Sequence, residues 1–155
     1  MYDRILVALD GTERAERVLP HAIQIARAFG GKLVLLQVLT GRADVLQQAL
    51  DADTVGGPTA VESGDAIGNA EADAAAAYFA RVQANLTDSG VAHEVLVLEG
   101  EATELLATAV RDQHIDLVAM ITPGRSALGR LIRGSTPEKL LQEIDVPVLL
   151  LRVDK

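Results

Sequence analysis

Short apolar runs alternate with longer helical patterns along this chain of 155 residues. Continuous apolar runs, as at residues 5–9 and 33–39, are typical of strands that are buried on both faces of a sheet. Further strands are predicted at residues 93–98, 116–121 and 148–152, and helices at about 13–29, 69–87, 102–113 and 137–143. Strands separated by helices indicate an α/β fold, a single-domain open five-stranded parallel sheet with helices on both faces.

Two prolines and one long segment modify this regular pattern. Pro20 lies inside the first helical pattern, so a bend or an irregular first half is expected there. Residues 40–68 are predicted to form a long, partly mobile excursion within the single domain of residues 1–155. Pro147 has no N–H group to donate, which favours an edge position for the last strand. Because an exposed apolar edge can pair with another chain, we expect a homodimer through residues 148–152.

Composition narrows the classes of function. The net charge is -8, with 14 Lys and Arg against 22 Asp and Glu, so nucleic acid is not expected as a partner. There is no cysteine, which excludes disulfides, thiolate catalysis and iron–sulfur clusters, and the three histidines share no metal-ligand spacing. The sequence has neither a signal-peptide pattern nor an apolar run of the roughly 20 residues that span a bilayer. We therefore expect a soluble, cytoplasmic protein with no membrane partner.

A segment rich in glycine and arginine follows the fourth predicted strand. Between Asp116 and Glu138 the chain has no acidic residue but three arginines, at positions 125, 130 and 133. Glycine lets backbone N–H groups approach an anion closely, and the N-terminus of the following helix adds a favourable partial charge. The segment therefore predicts a phosphate site. An equally good interpretation is a capping box at residues 135–138, with the arginines exposed to solvent.

Two polar residues lie at or near the ends of the first two predicted strands. Ligands of open parallel sheets bind beyond the carboxyl ends of strands, which makes Asp10 a candidate ligand contact. The alternative, weighed equally, is that Asp10 caps the first helix and that Gly11 and Thr12 form a turn. Gln37 interrupts the second apolar run, and the simple interpretation is a hydrogen bond to neighbouring backbone.

Five segments carry a family resemblance: ILVALD at 5–10, LLQV at 35–38, DLVAM at 116–120, GRSALGRLIRGST at 124–136 and VPVLL at 146–150. Together they resemble the universal stress protein family over nearly the whole chain. The resemblance implies the strand order 3-2-1-4-5 of a Rossmann-like, adenine nucleotide alpha hydrolase-like fold. It also implies a homodimer in which the fifth strands pair. In this order, the direction in which successive strands are added to the sheet would reverse between the first and fourth strands. Asp10 lies at the end of the first strand.

The resemblance further implies a site for an adenine nucleotide. By resemblance, Asp10 contacts the ribose and the backbone near Val38 contacts the adenine, and Met120 belongs to the same site. The phosphates would contact Gly124, Arg125, Gly134, Ser135 and Thr136.

One glycine of the family's nucleotide motif is replaced in this chain. Nucleotide-binding members carry G-x-x-G-x9-G-[ST], and the later part, from Gly124 to Gly134 and Ser135, is present. Ile121 stands where the first glycine is expected, and Pro123 removes one possible N–H donor. The motif is therefore incomplete at the end of the fourth strand.

Three hypotheses of function follow from these residues. The first is a stress-response sensor or regulator that binds ATP, with or without Mg²⁺, and turns it over slowly or not at all. The second is a family member that binds no nucleotide and acts through unidentified protein partners, which Ile121 and Pro123 favour. The third and weakest is slow ATP hydrolysis or phosphoryl transfer that uses Asp10 and Ser135, for which no activating base can be named.

Overall fold

The computed structural model describes residues 1–39, 64–123 and 136–153. Strands and helices alternate in the order that the apolar pattern predicts. The strands are β1 Arg4–Leu9, β2 Lys32–Leu39, β3 His93–Glu99, β4 Leu117–Pro123 and β5 Val148–Val153. The helices are a 3-10 helix Ala15–Val18, α1 Leu19–Phe29, α2 Gly64–Thr87, α3 Ala102–Asp112 and α4 Thr136–Glu143.

The five strands form one parallel sheet in the order β3-β2-β1-β4-β5. This order confirms the fold class, and it confirms the edge position that Pro147 predicts for β5. In the register, Leu9 at the end of β1 lies beside Gln37 of β2, and Val7 lies beside Ala119 of β4. The carboxyl ends of β1, β2 and β4 therefore lie along the same edge of the sheet.

Both faces of the sheet are covered by helices, which explains the continuous apolar runs of the strands. Ile5, Leu6 and Val7 of β1 are fully buried. One apolar cluster joins alternate residues of β1 and β2 to α1 and α2: Ile5, Val7, Leu33, Leu35, Ala22, Ala26, Phe79 and Val82. The other cluster joins the opposite face to α3 and α4: Leu6, Val34, Leu36, Leu106, Val110 and Leu140.

The first helical pattern is irregular in its first half, as Pro20 predicts. A 3-10 helix precedes α1. Pro20 lies in the first turn of α1, where backbone N–H groups have no partner within the helix, so its missing N–H group costs no helical hydrogen bond. The helix ends at Gly30, whose φ of 68° is the left-handed conformation common at helix C-termini.

Some boundaries differ from those predicted. Helix α2 begins at Gly64 rather than near residue 69. The excursion of residues 40–68 stays a prediction, and its part 40–63 lies outside the described residues. Strand β4 continues to Pro123, two residues beyond the predicted end, because a proline can close a strand where no ladder N–H is required. Within the described ranges, no helix is long and apolar enough to cross a membrane.

Side-chain bonds join the sheet at the amino ends of its strands. The Asp116 carboxylate, just before β4, accepts hydrogen bonds from the backbone N–H groups of Asp3 at 2.7 Å and Arg4 at 3.3 Å. The Glu94 carboxylate of β3 accepts from Arg4 at 2.7 Å and from the Lys32 ammonium at 3.3 Å. These contacts hold β1 to the strands on both of its sides. They lie at the end of the sheet opposite to Asp10.

Replacing Asp116 with Ala should destabilise the protein, because it leaves the N–H group of Asp3 without its 2.7 Å acceptor. We expect a loss of about 1–2 kcal/mol in the free energy of unfolding, measured by urea denaturation. Asp112→Ala, at the exposed end of α3, removes the same charge and serves as the control. Equal stabilities of the two variants would show that the Asp116 bonds do not hold β1 and β4 together.

Candidate functional site

A cavity of about 360 Å³ lies over the carboxyl ends of β1 and β2. It is bounded on its other side by helix α2, and its volume is in the range of small-molecule sites. Its lining residues are Asp10, Gly11, Gln37, Val38, Leu39, Glu71, Ala74, Ala75 and Tyr78. The cavity thus lies at the edge of the sheet where ligands of open parallel sheets bind, beside the point at which β1 separates β2 from β4.

Asp10 stabilises a turn at the mouth of this cavity rather than the helix that follows. Its Oδ1 atom accepts hydrogen bonds from the Thr12 N–H group at 3.0 Å and from the Thr12 hydroxyl at 2.6 Å. The Ala15 N–H group, at the start of the 3-10 helix, bonds instead to Thr12, with its hydroxyl oxygen at 3.2 Å. The helix-cap interpretation of Asp10 is therefore wrong. Asp10 is exposed, and its carboxylate can still accept bonds from a ligand.

Gln37 extends from β2 beneath Gly11. Gly11 has a φ of 81°, and a Cβ atom there would lie 3.1 Å from the Gln37 Nε2 atom, so the turn needs glycine for its conformation and for this close approach. The Gln37 Oε1 atom is buried and has no hydrogen-bond partner among the described residues. The expected bond from neighbouring backbone to this oxygen is therefore not formed.

Tyr78 forms part of the wall that α2 contributes. Its side chain is buried, and its hydroxyl lies 3.5 Å from the Thr12 carbonyl oxygen. Burial raises the pKa of the Tyr78 phenol well above its usual range, and the carboxylates of Glu16 and Asp10 raise it further. The phenol therefore stays protonated at neutral pH and can donate a hydrogen bond.

Arg81 connects α2 to the 3-10 helix behind the cavity. Its guanidinium group forms two hydrogen bonds to the Glu16 carboxylate, the shorter 2.6 Å long, and lies 5.5 Å from the centre of the Tyr78 ring. The bond to Glu16 raises the pKa of Arg81. This pair holds α2 against the segment that follows β1, and so positions Tyr78 beside the Asp10 turn.

The described part of the cavity wall carries negative charge. Asp10 and Glu71 are acidic, and none of the described residues that line the cavity is Lys or Arg. Such a wall suits an uncharged group with hydrogen-bond donors, such as a heterocyclic base or a sugar, better than a phosphate. The three arginines of the predicted phosphate segment, residues 124–135, lie outside the described residues.

The structure brings together only part of the predicted nucleotide site. Asp10 and Val38 line the same cavity. Met120 is buried in the apolar cluster of α3 and α4 and does not line it. Gly124, Arg125, Gly134 and Ser135 lie outside the described residues, and Thr136 begins α4. The capping box of residues 135–138 cannot be placed for the same reason.

Two residues of the cavity, Glu71 and Tyr78, are not among the sequence-based candidates. They share one face of α2 with Ala74 and Ala75, at the spacing i, i+3, i+4 and i+7. A tyrosine and a glutamate aligned with two alanines in an alanine-rich helix are the signal that could have identified this face. No cluster of three or more metal-binding side chains occurs within residues 1–39, 64–123 and 136–153.

Comparison with known proteins assigns the chain to a family. The model of the universal stress protein family matches residues 1–152. The chain is 29% identical over 152 residues to a universal stress protein of Thermus aquaticus, covering 98% of this chain and all of that protein (100%). The chain therefore belongs to the universal stress protein family.

Solved structures agree with this fold. A crystal structure of a universal stress protein family member from Burkholderia pseudomallei has a TM-score of 0.68 and 26% identity, covering 97% of this chain and 96% of that one. The universal stress protein of Archaeoglobus fulgidus in complex with dAMP has a TM-score of 0.63 and 19% identity, covering 96% and 97% of the two chains.

The raised pKa of Tyr78 predicts a specific loss of stability in alkali. Unfolded tyrosine ionises near pH 10, whereas folded Tyr78 keeps its proton, so the unfolded state is favoured as the pH rises above about 10. Replacing Tyr78 with Phe should therefore reduce the fall in stability between about pH 9.5 and 11, measured by urea denaturation at each pH. Tyr2→Phe is the control, and an unchanged slope in the Tyr78 variant would contradict the prediction.

Proposed function

We propose that this protein binds an adenine nucleotide, such as ATP, and acts as a sensor or regulator whose signal is the bound nucleotide. The observation that carries this proposal is the cavity at the ends of β1 and β2. Asp10 and Val38, to which the family resemblance assigns the ribose and the adenine, line that one cavity. A volume of about 360 Å³ accommodates a nucleoside-sized group.

The donor set of the cavity suits the nucleoside part of the ligand. The Asp10 carboxylate would accept hydrogen bonds from the ribose hydroxyls, and the backbone at Val38 would meet the edge of the base. The acidic wall favours neutral groups over phosphates, which would extend toward residues 124–136 and their three arginines. The dAMP complex of the Archaeoglobus fulgidus relative supports an adenine nucleotide as the ligand class.

A second function is favoured by residues at the end of β4. Ile121 packs against the apolar cluster of β1, α1 and α2, and Pro123 pairs with Val153 of β5. The position of the first motif glycine is thus occupied by a side chain that belongs to the core. A family member with this feature would bind no nucleotide and act through protein partners.

Calorimetric titration of ATP into the purified protein, with and without Mg²⁺, separates the two functions. We expect binding with a stoichiometry of one nucleotide per chain. Asp10→Ala should weaken it about tenfold, because the carboxylate is lost from the ribose position. Asp88→Ala, an exposed acid beyond the end of α2, is the matched control and should bind like the wild type. Absence of binding in folded wild-type protein would favour the partner-binding function.

We also propose that the protein is a homodimer in which β5 of each chain pairs with the other. β5 is an edge strand of the sheet, and its Leu150 is 38% exposed although it lies in a largely apolar strand. Pairing of two such edges would join the outward N–H and C=O groups of one edge strand to those of the other and cover the apolar side chains.

Light scattering should give a mass of twice the 16.4 kDa of the chain. Leu150→Glu should shift the protein toward the monomer, because two like charges would then face each other across the paired edges. Leu141→Glu is the control, since Leu141 is 51% exposed on α4 rather than on the edge strand. A monomeric wild type, or equal masses for both variants, would contradict this dimer.

A further inference from the structure

Glu71 carries a carboxylate that lines the cavity and that the proposed function leaves without a role. It lies in the first half of α2 and is partly buried, whereas its neighbours Ala70, Ala72 and Asp73 are exposed. Its side chain therefore points inward, on the same helix face as the buried Ala75. Within the described part of the chain, no residue forms a hydrogen bond or an ion pair with the Glu71 carboxylate.

The charges around Glu71 add to its own rather than offset it. Asp10, on the opposite wall, is a second carboxylate, and the described lining residues include no Lys or Arg. Arg81, behind the cavity, already forms an ion pair with Glu16 at 2.6 Å. The wall senses this negative charge: besides burial, the carboxylates of Glu16 and Asp10 raise the pKa of the Tyr78 phenol.

The cavity is small enough for both carboxylates to act on one ligand. Its volume is about 360 Å³. A sphere of that volume would be roughly 9 Å across, close to the Debye length of about 8 Å at physiological salt. A charge on a ligand inside the cavity is therefore only partly screened from Glu71. An anionic group is repelled at such distances, whereas a neutral group is not.

We propose that Glu71 is a specificity-determining residue that excludes nucleotides with a phosphate on a ribose hydroxyl. The inference rests on the proposed function, since it specifies which adenine nucleotides enter that same site. Asp10 is there the acceptor for the ribose hydroxyls, so a phosphate at the 3′ position would lie inside the acidic cavity. The 5′-phosphates leave the cavity toward residues 124–136 in that function. The ligand class is therefore nucleotides whose phosphates are all at the 5′ position.

A 3′-phosphate lowers the affinity in two ways that can be measured apart. Asp10 loses the 3′-hydroxyl as a hydrogen-bond donor, and Glu71 meets a like charge. Only the second effect changes when Glu71 is replaced. The base, the sugar and the 5′-phosphates are the same in ATP and in its 3′-phosphorylated derivative, so their contacts cancel when the two ligands are compared on each variant.

Competition calorimetry with ATP and adenosine 3′-phosphate 5′-triphosphate tests the inference. Wild-type protein should bind ATP about fiftyfold more tightly, of which about tenfold comes from the lost hydroxyl contact and about fivefold from Glu71. The ratio of the two Kd values should fall to about tenfold in Glu71→Gln and to about twofold in Glu71→Lys, because the charge is first removed and then reversed. Gln and Lys are good helix formers, so both variants keep α2. Asp73→Gln and Asp73→Lys, at an exposed position of the same helix, are the matched controls and should keep the wild-type ratio.

The outcomes separate the inference from the function on which it depends. Wild-type protein that binds neither ligand overturns both. Wild-type protein that binds ATP, with the same ratio in both Glu71 variants, overturns the role of Glu71 and leaves nucleotide binding intact. An equal fall in the Asp73 variants assigns the effect to the total charge of α2 and also overturns that role. A ratio that falls stepwise from Glu to Gln to Lys at Glu71 alone supports the inference, because a merely structural change would weaken both ligands together.

Discussion

The burial of β1 between β2 and β4 is the constraint on which the rest of the structure depends. Side chains on both of its faces are fully buried, so helices must cover the sheet on both sides. α1 and α2, which precede β2 and β3 in the chain, cover one face of the sheet, and α3 and α4, which precede β4 and β5, cover the other. The chain segments that follow β1 and β4 therefore run over opposite faces of the sheet. A crevice opens between them at the carboxyl end of β1, where the Asp10 turn lies.

The same constraint separates the chemistry of the proposed site into two parts. The described part, formed by the ends of β1 and β2 and by α2, has an acidic wall and a buried amide. The arginines of the chain's basic segment follow β4 in the sequence and lie outside the described residues. A nucleotide suits such a division, since its base and sugar are neutral hydrogen-bonding groups and its phosphates are anions.

The cavity also shows where this sequence departs from what stability alone would favour. Gly11 costs backbone entropy, and Gln37 carries a buried oxygen to which none of the described residues donates a hydrogen bond. Residues 33–36 of β2 are apolar and packed in the core without such features. Two neighbouring departures of this kind at the end of one sheet edge are typical of a functional site.

The sequence alone determined the order of the elements, the two-sided burial of the central strands and the edge position of β5. Each of these follows from the period of apolar residues or from the missing N–H group of Pro147, and both are local properties of the chain. The strand order also agreed with the family resemblance, whose motifs marked Asp10 and Val38. The start of α2 was missed because glycine and acidic residues at its beginning carry no apolar period.

Only the tertiary structure decided which side chains share the cavity and which hydrogen bonds form there. Tyr78 and Glu71 line the same cavity as Gln37 because α2 packs over the end of β2. The apolar pattern predicts which face of a helix is buried but not which strand end that face covers. Ala15 bonds to Thr12 rather than to Asp10, and within the described ranges the Oε1 atom of Gln37 has no hydrogen-bond donor. Such pairings depend on differences of less than an ångström, which residue spacing does not encode.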